Sequence, residues 1–232
     1  MEVKFIIPCY NAAGNLPDLF KSLYDQKSSK WSAILIDDMS EDRTYDCATE
    51  YSSSNIEIIK NTEKKYALRN IVENARRFQK KEDIIIAVID GDDSLCNPDT
   101  VDLLLDSYDK GYDVVWTGHR WDINDMNISK PMPENVDPYS YTWSSSHLRT
   151  FRADLLEKVK DINFKDTSGS WFMRGYDQAL MLPIIHVSEK RHYIDEICYR
   201  YNINSVSIPY RDYSEMTQIS TINLVRSRGF LE

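Results

Sequence analysis

The stretch AVIDGDDSL, residues 87–95, ends a run of apolar residues, Ile84 to Ile89, in three carboxylates, Asp90, Asp92 and Asp93, parted only by Gly91. A short apolar run bounded by turn residues reads as a strand covered on both faces. Carboxylates crowded at its end repel one another and are costly to leave unpaired beside a core, so the pattern calls for a positive group between them.

Outward from this stretch, the first half of the chain alternates two periods. VKFIIP (3–8), SAILID (32–37), IEIIK (56–60), IIIAVID (84–90) and DVVWTG (113–118) are short, rich in β-branched residues and bounded by turn formers, as strands are. Between them, Leu16, Leu19, Phe20, Leu23 and Tyr24, then Leu68, Ile71, Val72 and Ala75, then Val101, Leu104, Leu105 and Tyr108 recur at helical spacing. Ser40, followed by Glu41 and Asp42, is the expected cap of a further helix. Strand and helix in alternation imply an α/β fold, a Rossmann-like, doubly wound, mostly parallel sheet with helices on both faces. Ligands of such sheets collect beyond the carboxyl ends of the strands where the strand order reverses, so the polar residues just after each strand are the ones to inspect.

The second half is less regular. Residues 119–146 form a long irregular connection rich in Asn, Asp, Pro, Ser and aromatics. The pattern then predicts a helix over Arg152 to Val159, a Ser/Gly loop at 166–170, a helix over Tyr176 to Val187, two short strands RHYID and ICYRYN, and a tail that is helical from about Ser214. Length and the absence of a linker favour one domain over 1–232, with a nucleotide half at 1–118, an acceptor and catalytic half at 119–205 and a C-terminal tail at 206–232.

Composition narrows the function. With 42% hydrophobic and 28% charged residues, 7 Gly and 8 Pro, the chain reads as globular. No stretch approaches the roughly 18 apolar residues of a transmembrane segment, which points to a cytoplasmic protein. Cys9, Cys47, Cys96 and Cys198 show neither zinc-binding spacing nor a disulfide framework. A formal net charge of -9 disfavours a chain whose main task is gripping a nucleic-acid backbone.

The strand ends carry Pro8, Tyr10 and Asn11 after the first strand, Asp37 and Asp38 after the second, and Asp90, Asp92 and Asp93 after the fourth, while Arg69 and Asn70 open the helix after the third. P-C-Y-N at 8–11, I-D-D-M-S-E-D at 36–42, A-L-R-N at 67–70 and D-G-D-D at 90–93 together resemble the consecutive signatures of family 2 glycosyltransferases of the GT-A fold, over roughly the first 100 residues. The resemblance implies transfer of a hexose from a nucleotide-sugar donor, with UDP-hexose the commonest case. It implies Pro8, Tyr10, Asn11, Asp38 and Arg69 around the nucleoside, Asp92 on a divalent cation, and Asp90 beside the donor ribose or the ion. Mn2+ or Mg2+ suits such oxygen ligands, and a cation there would clamp a diphosphate whose charge grows as the glycosyl bond breaks. Met39 stands where the family usually has Gly, and KYALRN lacks the Gly often found before the Arg. The plain structural alternatives are a helix cap for Asp38 and an exposed helix arginine for Arg69.

An inverting transfer needs a base for the acceptor hydroxyl. The family's Glu-Asp pair resembles G-Y-D-Q-A-L at 175–180, which makes Asp177 the expected base and puts Tyr176 in the place of the Glu. A carboxylate stabilising a helix N-terminus is the simpler alternative for Asp177. His147 and Arg149, in S-S-H-L-R-T-F-R (145–152), match positions at the acceptor or diphosphate edge, with Asp93 and Trp171 as further acceptor candidates. Trp116, Trp121 and Trp143 are also in reach of that region by sequence, with at most one or two of the four tryptophans expected in a pocket and the rest in the core. No His is found around Y-R-Y-N-I-N-S, where many relatives complete the metal shell, so Asn202, Asn204 or water would have to serve. The acceptor itself is open among carbohydrate, lipid-linked, protein and modified-base hydroxyls.

Two other readings compete. D-G-D-D-S also resembles the phosphorylated-Asp motif of haloacid-dehalogenase-type phosphatases, although three strand and helix units precede it here, and N-A-A-G-N at 11–15 lacks the basic Gly-rich loop of nucleotidyltransferases. A non-catalytic carbohydrate-binding relative would keep the fold without the chemistry.

Overall fold

The computed structural model describes residues 1–203 and 211–232, so Asn204 lies outside the described residues. Strands β1 (Glu2–Cys9), β2 (Trp31–Asp37), β3 (Ile56–Lys60) and β4 (Ile84–Val88) are mutually parallel, in the spatial order β3-β2-β1-β4. Chain order thus runs outward from β1 to β3 and then jumps back across β1 to β4. That reversal creates a crevice between the carboxyl ends of β1 and β4. Beyond β4 the sheet continues through β7 (Arg149–Arg152), β6 (Val114–Trp121), β8 (Arg191–Tyr201) and β5 (Ser94–Leu95), with β7 antiparallel to both of its neighbours and β5 antiparallel to β8.

The apolar runs sort into two cores by strand periodicity, since successive side chains leave opposite faces of a sheet. Ile6, Ile34, Ile36, Ile86 and Val88 pack with Leu68, Ile71, Val72 and Ala75 of helix α3 (Tyr66–Ala75) and with Ala179 to Leu182 of α5 (Tyr176–Val187). Phe5, Ile7, Leu35, Ile85 and Ala87 pack on the other face against α1 (Leu16–Tyr24) and α4 (Thr100–Asp109), whose Leu16, Leu19, Phe20, Leu23, Val101 and Leu104 are fully buried. Each buried Ile, Leu, Val or Phe contributes about 1.5–3 kcal/mol of transfer free energy. Pro17 sits in the first turn of α1, where its missing N–H costs nothing. The N-cap position of the short α2 (Thr44–Thr49) is Arg43, not Ser40, and it makes no side-chain cap bond; Asp42, just before it, accepts from Thr44 N at 2.9 Å and from Ala13 N at 3.1 Å. Ser40 Oγ instead accepts from Asn11 N.

Two expectations for the second half need correction. The helix expected from Arg152 is strand β7 followed by a 3-10 segment, Ala153–Lys158. Burial decides this: Arg149, Thr150 and Phe151 enter the sheet between β4 and β6, and ladder bonds on both sides outweigh the helical pattern of the following leucines. RHYID and ICYRYN are one strand, β8, whose register slips opposite Thr117, Gly118 and His119 rather than breaking. A Cβ at Gly118 would stand 3.0 Å from Glu196 O, so the missing side chain lets the irregular part of β8 approach. The tail is helical, as α6 (Arg211–Arg228), and packs on α5. Across α6, a Cβ on Gly175 would lie 3.2 Å from Gln218 O, and Gly175 itself takes φ 60° just before α5 begins.

Candidate active site

At the β1/β2 edge the chain leaves Cys9 and Asp37 into two facing turns. Asp38 is 3% exposed, and its carboxylate accepts from Lys65 N (2.9 Å), Tyr66 N (2.8 Å) and Asn61 Nδ2 (2.7 Å). Burial alone would raise its pKa, but the Asn70 side chain and then these hydrogen bonds hold the carboxyl below the usual range, so Asp38 is a charged acceptor. Met39, at the position where the resemblance expects Gly, takes φ 60°. Tyr10 is half exposed, and the Lys64 ammonium lies over its ring while donating to the Asp38 backbone carbonyl at 2.9 Å. Asn11 ties the turns together, its Oδ1 accepting from Glu41 N at 2.8 Å. Arg69 is held by Glu63 and Glu73 on the outer side of α3, so its guanidinium is engaged there rather than with Asp38.

At the β4 edge the carboxylates meet the positive group that their crowding calls for. Arg149 is 1% exposed, and its Nη2 donates to Asp90 Oδ2 at 3.2 Å and to Tyr176 Oη at 3.1 Å. The Tyr176 hydroxyl in turn donates to Asp90 Oδ1. Asp93 lies deeper, accepting from Tyr199 Oη (2.7 Å) and Asn202 N (2.7 Å), and Tyr199 Oη also accepts from Asp90 N at 3.1 Å. Burial pushes the Asp93 carboxyl well up, and the charges of Asp92 and Asp90 push it further. Gly91 N donates to Pro8 O at 3.1 Å, and a side chain at Gly91 would collide with Cys9 Sγ and stand 3.0 Å from Pro8 O, so the loop touches β1 only because Gly stands there. Asp92 lines a small cavity of about 70 Å³ with Asn15, Asp18, Asp122, Arg200 and Asn202.

The predicted acceptor-side residues divide. Asp177 sits in the first turn of α5, and its carboxyl is pushed up by burial against the pull of the Arg149 guanidinium, with Asp90 adding to the rise. His147 is stacked on Tyr199, ring centroids 4.7 Å apart, with Tyr201 at 5.1 Å, and burial holds its imidazole well below its usual pKa. It stands beside the carboxylates: ligand atoms of Asp90, Asp93 and His147 all lie within 4.8 Å of one another. Trp116 is core, fully buried with Nε1 donating to Lys130 O. Trp171 stacks on Phe164 with Lys165 over its ring, and Trp121 tilts against Tyr201.

A family model described as glycosyl transferase family 2 matches residues 4–181, most of the chain. The chain belongs to that family. The family 2 chain is 28% identical over 174 residues to a dolichol-phosphate mannosyltransferase of Pyrococcus furiosus, an alignment covering 74% of this chain and 46% of the relative, so the chain spans about half the length of that curated relative. Among solved structures, S. aureus TarS 1-349 in complex with UDP matches with a TM-score of 0.65 at 17% identity, covering 100% of this chain and 67% of that one. The mannosyltransferase PcManGT from Pyrobaculum calidifontis, in complex with GDP-Man and Mn2+, matches at 0.59 and 16%, covering 95% and 63%. These likenesses establish the GT-A architecture. Family membership, with Asp90 just after the fourth strand rather than the first, leaves the phosphatase reading without support.

The residues present fit the divalent cation that the family implies. Asp90, Asp92 and Asp93 are hard oxygen donors converging on one loop, and their mutual repulsion is only partly relieved by Arg149. Tyr199, Lys64 and Arg226 are site residues that sequence reasoning missed. Tyr199 and Arg226 lie over a hundred residues from Asp90 and carry no motif. Lys64 sits three residues before the ALRN segment and could have been flagged as a cation beside the nucleoside signatures. Arg226, on α6, donates to Gln178 Oε1 (2.7 Å) and to the carbonyls of Tyr139 and Tyr141 (2.8 Å each), joining the long connection to the start of α5. Among the described residues no helix is long and apolar enough to cross a membrane.

Proposed function

We propose that this protein is a metal-dependent glycosyltransferase that moves a hexose from a UDP-sugar to an acceptor hydroxyl with inversion. One observation carries the reading: a charged acceptor (Asp38) and a carboxylate cluster (Asp90, Asp92, Asp93) follow the carboxyl ends of β2 and β4 on either side of β1, at the switch point of the sheet, with the raised carboxyl of Asp177, at the start of α5, in electrostatic reach of Asp90. Neighbours of the same fold that bind UDP, UDP-GlcNAc or GDP-Man, one with Mn2+, support a nucleotide-sugar donor.

In this reading Tyr10 and Asp38 hold the base, and Asp92 with Asp90 holds Mn2+ or Mg2+. The bound cation would supply positive charge to the diphosphate. Asp177 takes the proton of the acceptor hydroxyl as its oxygen bonds to the anomeric carbon, and the glycosyl C–O bond breaks with its electron pair leaving on the nucleoside diphosphate. A raised pKa makes Asp177 the stronger base. Arg149 pairs with Asp90 and is within electrostatic reach of Asp177, so its charge offsets part of the repulsion between the two carboxylates. The test is a thermal-shift screen of nucleotide sugars with and without Mn2+, followed by donor hydrolysis in wild type and Asp92→Ala. Stabilisation by a UDP-sugar, and hydrolysis lost on Asp92→Ala, is the expected result. Stabilisation by free glycans alone, with no donor turnover, would instead mark a carbohydrate-binding relative.

A further inference from the structure

The Tyr10 and Asp38 edge contains a third polar group that neither motif names. Lys64 Nζ donates to the Asp38 carbonyl at 2.9 Å, stands 3.7 Å from Asp38 Oδ2, and lies over the Tyr10 ring, with the Tyr66 ring 5.9 Å away. Its side chain is about one-third exposed, so the ammonium borders both the aromatic face and open solvent. Among the described residues, Asp38 Oδ1 accepts two hydrogen bonds and Oδ2 one, from Tyr66 N. A carboxylate offers about four acceptor sites, so Oδ2 retains capacity for one more N–H.

An ionised carboxylate beside an ammonium reads a particular heterocycle edge. The carboxylate can only accept and the ammonium can only donate. The matching edge is a ring N–H next to a carbonyl, as in uracil (N3–H, O4) or guanine (N1–H, O6). Cytosine and adenine present the reverse pair, a bare ring nitrogen next to an amino group, and would face the carboxylate with a lone pair and the ammonium with N–H. Sites built on buried hydrogen bonds reject a mismatched analogue more strongly than sites built on shape.

We propose that Lys64 is a specificity residue for the donor base, acting with Asp38 so that the pocket takes uracil or guanine and turns away cytosine and adenine. This rests on the reading that Tyr10 and Asp38 hold the nucleoside. A base stacking on Tyr10 takes the place of the ammonium over the ring, and Lys64, kept close by Asp38, moves to the base edge.

Isothermal titration of UDP, GDP, CDP and ADP in the presence of Mg2+ tests it on wild type, Lys64→Ala and Lys64→Met, with circular dichroism confirming the fold. Wild type should bind UDP and GDP at least tenfold more tightly than CDP and ADP. In Lys64→Met, which keeps the stem and loses the donor, that ratio should fall about tenfold through weaker UDP and GDP binding. An unchanged ratio overturns the assignment. So does an equal gain for all four nucleotides in both variants, which would make Lys64 a mere occupant of the ring face. If wild type binds no nucleoside diphosphate at all, the donor reading itself fails and the role of Lys64 falls with it.

Discussion

The two carboxylate sites of this molecule are built in opposite ways. Asp38, at the end of β2, is satisfied by Asn61, Lys65 and Tyr66, partners 23 to 28 residues away, and its charge is stabilised. Asp90 and Asp93, at the end of β4, depend on Arg149, Tyr176, Tyr199 and Asn202, partners 59 to 109 residues away, and the Asp93 proton is held tightly by burial and its acidic neighbours. The first is a charged acceptor already held by its neighbours. The second crowds three carboxyls around a single paired guanidinium, Arg149, an arrangement that favours binding of a cation. In the proposed function, recognition and chemistry thus sit on the same sheet edge with opposite electrostatic requirements.

The largest expected effect tests the chemical side of that division. Asp177→Asn should lower transfer or donor hydrolysis by about 10²–10⁴-fold while leaving nucleotide binding intact. Because the Asp177 carboxyl is raised and must be ionised to act, the acid limb of the wild-type rate profile should lie above the ordinary Asp value of about 3.9. A limb at or below that value would break the assignment. Next in size, Arg149→Met removes a buried cation from between Asp90 and Tyr176 and should cost about 3 kcal/mol in urea unfolding, because Asp90 then lacks its counter-charge. If stability were unchanged, the β4 site would not depend on its distant partners.

The recognition side should respond to pH in the opposite sense from a raised group. The Asp38 pKa is depressed on folding, so its contribution to stability is full above the unfolded value of about 3.9 and is lost as pH falls through the folded value. In Asp38→Asn the melting temperature should therefore decline less steeply over that acidic window, at the price of lower stability near neutrality. Smallest of all, Met39→Gly relieves a left-handed residue that costs about 1 kcal/mol, partly offset by glycine's greater freedom when unfolded, and should raise the melting point by a few degrees at most.

The same contrast explains what could be read from sequence. The first four parallel strands, α1, α3 and α4 each bury a local periodic pattern, so Ile84 to Ile89 or Leu16 to Leu23 announce their own structure. Asp38, Asp90 and Asp92 fall at strand ends, where polar residues after apolar runs stand out. In the second half, neighbours far along the chain decide. Arg149 to Arg152 is a strand because β4 and β6 hold it on both sides, and β8 stays one strand because Gly118 accommodates its irregularity. The partners of Asp90 were within view only in part: Arg149 stood out beside His147, but nothing local to Tyr199 marks it as bridging Asp90 and Asp93.

Gly91 changes how such an acidic motif should be weighed when related chains are compared. Its lack of a side chain lets the loop rest against Pro8 and Cys9, so a single added methyl would push all three aspartates away from β1 without altering any of them. A descendant could thus fall silent while its acidic letters survive intact. For inheritance of activity in this lineage, the residue to read first is the one that carries no functional group.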